Sequence, residues 1–225
     1  VLNINKKNLV FTTDHFRAFT TDLWLLSNIA AIHSMGDIWA MGAIPKIALA
    51  NIIVPEAKEK VQENWLREIM YGSSHVFSKE KVTIVGGHTS VGKEFSIGFS
   101  INGFSKEDPK KISGSQPGDL LLLTKPIGSG VLLAGKMLFR VNGEEISNLF
   151  SWMSLSQSEA SSILMRSNAM TDVTGFGLAG HLTKMCISSK TRAYLYLKNI
   201  PFYKRSVELA LQGIRSSLFS ENFKC

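Results

Sequence analysis

The chain has 225 residues, of which 44% are hydrophobic and 19% charged, with a formal net charge of +7. That balance describes an ordinary globular protein with room for two modest domains, and no apolar run approaches the roughly 20 residues of a membrane helix. The basic residues are scattered in Lys58-Glu59-Lys60, Lys79-Glu80-Lys81 and Lys106 to Lys111, mixed with acids and turn formers, which suits an anionic small ligand or a solvated surface better than nucleic acid.

The first half reads strand, helix, strand, helix, strand, strand. Asn8 to Thr13 is a short β-type run ending at Asp14. Asp22 to Met41 has helical spacing, with Leu25, Ile29, Ile32 and Trp39 on one side. Lys46 to Val54 is apolar and β-branched, and Pro55 is expected to open a helix in which Val61, Trp65, Ile69 and Val76 recur. Val82 to Val85 reads as a buried strand ending in Gly86-Gly87-His88-Thr89. Phe95, Ile97, Phe99 and Ile101 alternate with small polar residues, as in a half-buried strand whose outer face could meet a partner sheet.

A charged, proline-containing linker, Ser105 to Lys111, follows. The second half opens with an expected apolar strand, Gly118 to Thr124, halted at Lys125-Pro126. Helices are expected near Gly130 to Phe139, Gln157 to Ser167, Leu178 to Ser188 and Val207 to Leu211, with a strand at Ala193 to Leu197. Asn142-Gly143 and Ser188 to Lys190 read as turns. The two cysteines, Cys186 and Cys225, form no disulfide framework and no metal-ligand spacing, which fits a reducing, cytoplasmic setting.

Three carboxylates stand out. Asp14 is expected at a strand end, where α/β proteins place ligand-facing side chains, although such an aspartate is as often a turn former. Asp37 is expected inside an apolar helix one turn after His33, and a carboxylate there needs a hydrogen-bond donor, a cation or a wet cleft. Pairing with a nearby lysine is the simpler alternative. Asp172 precedes three closely spaced glycines where an apolar helix begins, a pattern suited either to an anion with its metal or to a plain capped helix. Gly86-Gly87-His88-Thr89 would let backbone N–H groups close on a phosphate. A P-loop, a Gly-x-Ser-x-Gly elbow, His-Glu-x-x-His and Cys-x-x-Cys are all absent from the sequence.

Together these segments resemble the selenophosphate synthetase (selenide, water dikinase) family, within the wider aminoimidazole ribonucleotide synthetase-like superfamily. Phe11-Thr12-Thr13-Asp14-His15-Phe16-Arg17-Ala18-Phe19 is similar to its "TVDFF.P" strand, and Ile29 to Gly42 to its "IAAANALSDIYAMG" helix. Gly86-Gly87-His88-Thr89 matches "GGHS/T", Leu123 to Gly128 matches "LTKPLG", and Thr171 to His181 matches "TDVTGFGLLGH". The resemblance implies a two-domain α/β fold, with an N-terminal ATP-binding domain over 1–107 that pairs across a homodimer as a β-barrel, and a C-terminal α/β domain over 108–225. It implies synthesis of selenophosphate, AMP and phosphate from ATP, selenide and water. By matching position, Asp14, Asp37, Gly86, Gly87, His88 and Thr89 would contact ATP, and Asp37 and Asp172 would hold Mg2+.

The departures also count. The family's reactive Cys or selenocysteine and its Lys have no match here, so no catalytic residue is assigned, and we expect a fragment that begins late, ends early and turns over poorly alone. Thr20-Thr21-Asp22-Leu23-Trp24 stands where the family has "VDDPY", so one acid is a threonine. Arg17-Ala18-Phe19 and Met41 to Pro45 are similar to versions fused behind an oxidoreductase, which implies such a domain upstream. The alternatives are a kinase or cyclo-ligase of the same superfamily acting on another small molecule, or a non-catalytic nucleotide-binding remnant.

Overall fold

The structure, a computed structural model, describes residues 1–5, 7–105 and 107–224; Lys106 of the expected linker and Cys225 lie outside the described residues. It divides into one unit of Val1–Pro109 with Met153–Met165 and another of Lys110–Trp152 with Arg166–Cys225. The class is α/β, as expected.

The first unit is built on β1 (Leu2–Ile4), β2 (Lys7–Arg17), β3 (Ile44–Pro55), β4 (Thr83–Gly92) and β5 (Ser96–Ser105), in the sheet order β1-β2-β5-β3-β4. All neighbours are antiparallel except β3 and β4, which run parallel and are joined through helix α3 (Glu59–Lys79). Helices α1 (Leu23–Ser34) and α2 (Gly36–Ala40) link β2 to β3, in place of the single helix expected from Asp22 to Met41. Asp22 caps α1 by accepting the Leu25 N–H at 2.8 Å, and Gly36, a poor helix former, follows the break at Met35.

Three expectations along these strands shift. β2 pairs with β5 as far as Arg17 opposite Ser96, so Asp14 lies inside a strand and not at its end. Pro55 ends β3 and does not open a helix; α3 starts after Lys58, and the Pro55 carbonyl accepts from the Gln62 side chain at 2.9 Å. Pairing of β3 with β4 continues to Pro55 opposite Gly92, so Gly86-Gly87-His88-Thr89 is strand and not a turn. A Cβ at Gly87 would overlap the Ala50 carbonyl, so glycine there allows the close approach of the two strands.

Helices cover one face of this sheet. Phe77 of α3 meets Phe99 of β5 edge-on at 4.9 Å, and Leu26, Met35, Ile38, Ile69, Ile97 and Ile101 are fully buried in the same core. α1 and α3 cross closely at Gly72, where a side chain would strike Ser27 and Trp24, and Asn28 seals the crossing by donating to the Gly72 carbonyl at 3.0 Å. α6 (Ser158–Leu164) joins the same unit, with the Ser161 hydroxyl donating to the Trp39 carbonyl at 2.6 Å. The opposite face of the sheet stays open and exposes Phe11, Leu49 and Ile53.

Among the described residues the regular elements of the second unit are α4 (Ser129–Met137), α5 (Gly143–Met153), α7 (Gly177–Ser189), α8 (Ser206–Leu211) and α9 (Phe219–Asn222), with a 3-10 turn at Leu197–Asn199 and an isolated parallel bridge between Ile127 and Phe202. Leu132, Leu149, Phe150, Tyr203, Leu209 and Ile214 are buried. The strands expected at Gly118 to Thr124 and Ala193 to Leu197 do not form. Among the described residues these segments have no neighbouring strand to satisfy their backbone, and Leu120 is 87% and Tyr194 83% exposed. α5 was not expected. Asn142 starts it by a reciprocal cap in which its side chain accepts the Glu145 N–H and Glu145 accepts the Asn142 N–H, each at 2.9 Å. Among the described residues no helix is long and apolar enough to cross a membrane.

Candidate functional site

Alternation along β2 sends Val10, Thr12, Asp14 and Phe16 toward the helices and leaves Phe11, Thr13, His15 and Arg17 on the open side. On the helix side this creates a polar seam. The Thr12 hydroxyl donates to an Asp37 carboxylate oxygen, and two residues along the strand Asp14 Oδ2 lies 2.7 Å from His33 Nε2. His33 and Asp37 are four residues apart across the α1–α2 junction, so the strand positions pair with the helix positions as two rungs. Both carboxylates are half-buried, and Phe16 packs on the His33 ring at 4.4 Å.

The electrostatics of the first rung are mixed. Burial pushes the Asp14 carboxyl up, but the hydrogen bond from His33, the charge of a protonated His33 and the neighbouring His15 N–H outweigh it, leaving Asp14 below its usual value. Asp37 is not in a helix interior as expected; it sits in the first turn of the short α2. Its partner is Thr12 and not a lysine.

Gly86 to Thr89 lie elsewhere on the same sheet. Asp14 stands opposite Phe99, Phe99 opposite Ala50 and Ala50 opposite Gly87, so Asp14 and Gly87 share a transverse row three strand spacings apart, about 14 Å. His88 pairs with Asn51, which pairs with Gly98 beside His15, and it belongs to the open face. Within this unit, therefore, Asp14 and Asp37 come together at the seam while His88 faces away from it.

Asp172 belongs to the second unit, in the turn before α7, and is half-buried. Gly177 takes a φ of +73°, a left-handed conformation that favours glycine and turns the chain into α7. The turn is held from behind: buried His181 reaches Thr171 and Thr174, and the Asn222 side chain donates to the Gly175 carbonyl at 2.8 Å. Leu218 fills the space over Gly175. Lys125 is also largely withdrawn from water, and burial lowers its amine to about 8.

Among the described residues, no three His, Cys, Asp or Glu side chains cluster closely enough to hold a metal by themselves. A cation here would need oxygens from elsewhere. Thr12, His181 and Asn222 have no site role in the sequence reading. Thr12 was detectable from its place two residues before Asp14 on one strand face; Asn222, far off in sequence, gave no signal.

The family profile described as "AIR synthase related protein, N-terminal domain" matches residues 1–105, and "AIR synthase related protein, C-terminal domain" matches residues 116–220. A selenide, water dikinase of Treponema denticola is 34% identical over 220 residues, covering 95% of this chain and 61% of that protein. Its counterpart in Caldanaerobacter subterraneus subsp. tengcongensis is 34% identical over 212 residues, 92% of this chain and 60% of that protein. The chain thus spans about three fifths of the length of these relatives. Among solved structures, the thiamine-monophosphate kinase of Stenotrophomonas maltophilia K279a superposes with a TM-score of 0.77 at 18% identity, covering 89% of this chain and 66% of that one. The hydrogenase maturation protein HypE, solved in complex with ATP, gives a TM-score of 0.76 at 17% identity, covering 93% of this chain and 64% of that one. At such identities the likeness concerns the fold.

Proposed function

The chain belongs to the AIR synthase related family, carrying its N-terminal and C-terminal domains in order, and on that premise we propose that it is the nucleotide-handling part of a selenophosphate synthetase. The reaction takes ATP, selenide and water to selenophosphate, AMP and phosphate. The observation that carries this reading is the 34% identity to selenide, water dikinases over 95% of the chain. The rungs Thr12–Asp37 and Asp14–His33, which fix two carboxylates on one seam, support it.

In this reading Asp14, Asp37, Gly86, Gly87, His88 and Thr89 contact ATP, and Asp37 and Asp172 hold Mg2+. The donor set fits. Carboxylate oxygens are the ligands a hard cation prefers, and Mg2+ is commonly held by one or two of them with phosphates and water completing the shell, so a three-residue protein cluster is not required. When bound, the ion neutralises charge on the phosphate oxygens during phosphoryl transfer. The chain's own contribution is positioning. The Thr12 hydroxyl fixes the direction of the Asp37 carboxylate, His33 holds Asp14 ionised, and the half-buried seam limits competing water.

The separation of about 14 Å between the Asp14 rung and Gly87, and the placing of His88 on the open face, support a site completed across a homodimer whose partner covers the exposed Phe11, Leu49 and Ile53. The domain division at 107/108 and a cytoplasmic setting belong to the same reading. Product analysis tests it: AMP formed from ATP only when selenide is present is the expected result for the full-length protein. Phosphorylation of another small molecule without selenide would instead assign the chain to a kinase of the same fold.

A further inference from the structure

His181 is 8% exposed and lies near the start of α7, facing back onto the turn that carries Asp172. Its Nε2 accepts the Thr174 backbone N–H at 3.2 Å, with the Thr174 hydroxyl also at 3.2 Å. Its Nδ1 meets Thr171 Oγ1 at 3.4 Å, and that hydroxyl donates to the Asp172 carbonyl at 3.1 Å.

The proton positions follow from these contacts. A ring nitrogen that accepts from an N–H carries no proton, so the Thr174 N–H directed at Nε2 selects the tautomer with its proton on Nδ1. The single hydrogen of Thr171 is given to the Asp172 carbonyl, so Oγ1 is left to accept from Nδ1–H. The result is a one-way chain from the ring through Thr171 to Asp172, with a second attachment at Thr174. The two attachments lie on either side of Asp172. A ring protonated on Nε2 would face the Thr174 N–H donor to donor. Phe176 stands 6.2 Å from the ring with Lys184 Nζ 5.0 Å over its face, so the other side of the turn is packed too.

We propose that His181, in its Nδ1–H tautomer, is a positioning residue that fixes residues 171–174 and thereby the direction of the Asp172 carboxylate. The ligand half of this proposal rests on the reading of Asp172 as a metal-holding residue; the hydrogen-bond half does not. Outer-shell histidines of this kind typically matter by about 10- to 100-fold in ligand affinity or activity. His181→Leu keeps the volume and removes the hydrogen bonds to Thr171 and Thr174, whereas His181→Gln can return an amide oxygen near the Nε2 position.

The test has a ligand-free arm and a binding arm. Heteronuclear NMR of the imidazole nitrogens in the parent should show Nδ1 protonated and Nε2 bare, and the Thr174 amide should exchange faster in His181→Leu than in His181→Gln. Calorimetric titration with ATP and Mg2+ should show His181→Leu weakened by roughly tenfold and His181→Gln restored. A proton found on Nε2, or Thr174 protection and binding unchanged in His181→Leu, overturns the proposal. If His181→Leu does not fold, the parent's tautomer and the binding of His181→Gln decide it. A parent with the expected tautomer that binds no ATP with Mg2+ overturns the reading of Asp172, and the ligand half with it, while the hydrogen-bond half stands.

Discussion

The seam of the first unit and the Asp172 turn of the second hold their acids by different means. Asp14 stands in mid-strand, paired with Phe99 of β5, and Asp37 is fixed by Thr12 of that same strand. Asp172 stands in the irregular segment before α7, where buried His181 and the Asn222 side chain supply the order that a sheet supplies elsewhere. A carboxylate on a paired strand inherits rigidity from the whole sheet, whereas one on a turn depends on a few identifiable hydrogen bonds. Substitutions near Asp172 should therefore act locally, and those beneath the seam globally.

The largest expected effect comes from the cores. Phe99→Ala removes the ring facing Phe77 under the seam and should cost about 3–5 kcal/mol in denaturant unfolding, and Leu209→Ala in the second unit about 2–5 kcal/mol. Equal losses of Asp14 and Asp172 order in Leu209→Ala, read by amide exchange, would break the contrast. A smaller effect is expected from pH at Lys125. Burial lowers its amine from 10.5 to about 8 in the folded chain, so the unfolded chain binds more protons between those values and stability should rise with pH across that window. In Lys125→Met that rise should be absent from a series of thermal melts. The smallest effect concerns the helix cap: Asn142→Ala removes one arm of the reciprocal cap on α5 and should cost about 0.5–2 kcal/mol without moving the seam.

Much of the first unit was legible because its signals are periodic. The alternation of Phe95 to Ile101 and the apolar run of Lys46 to Val54 mark strands that pair with each other, and the helical recurrence from Val61 to Val76 marks the helix that covers them. The boundaries were less legible. Nothing local says that β2 continues past Asp14 or that β4 continues through two glycines, because those residues stay extended only through pairing with β5 and β3. In the second unit, continuous apolar runs such as Leu120 to Leu123 misled, since a run without alternation does not reveal whether a neighbouring strand exists. The Asn142-Gly143-Glu144-Glu145 cap was visible in the sequence, but its reading as a turn hid α5. The carboxylates of the seam were named from the sequence, and their partners were not: Thr12 reaches Asp37 only once strand and helix are packed.

The central claim is that the seam between β2 and the α1–α2 junction grips a nucleotide through carboxylates. Calorimetric titration of ATP into the chain, with and without Mg2+, on the parent and on Asp37→Asn tests it most directly. The account predicts weak, Mg2+-dependent binding by the parent and at least tenfold weaker binding by Asp37→Asn, of the order expected for loss of a charged ligand contact. Binding that ignores Mg2+ and is identical in the two proteins would contradict it.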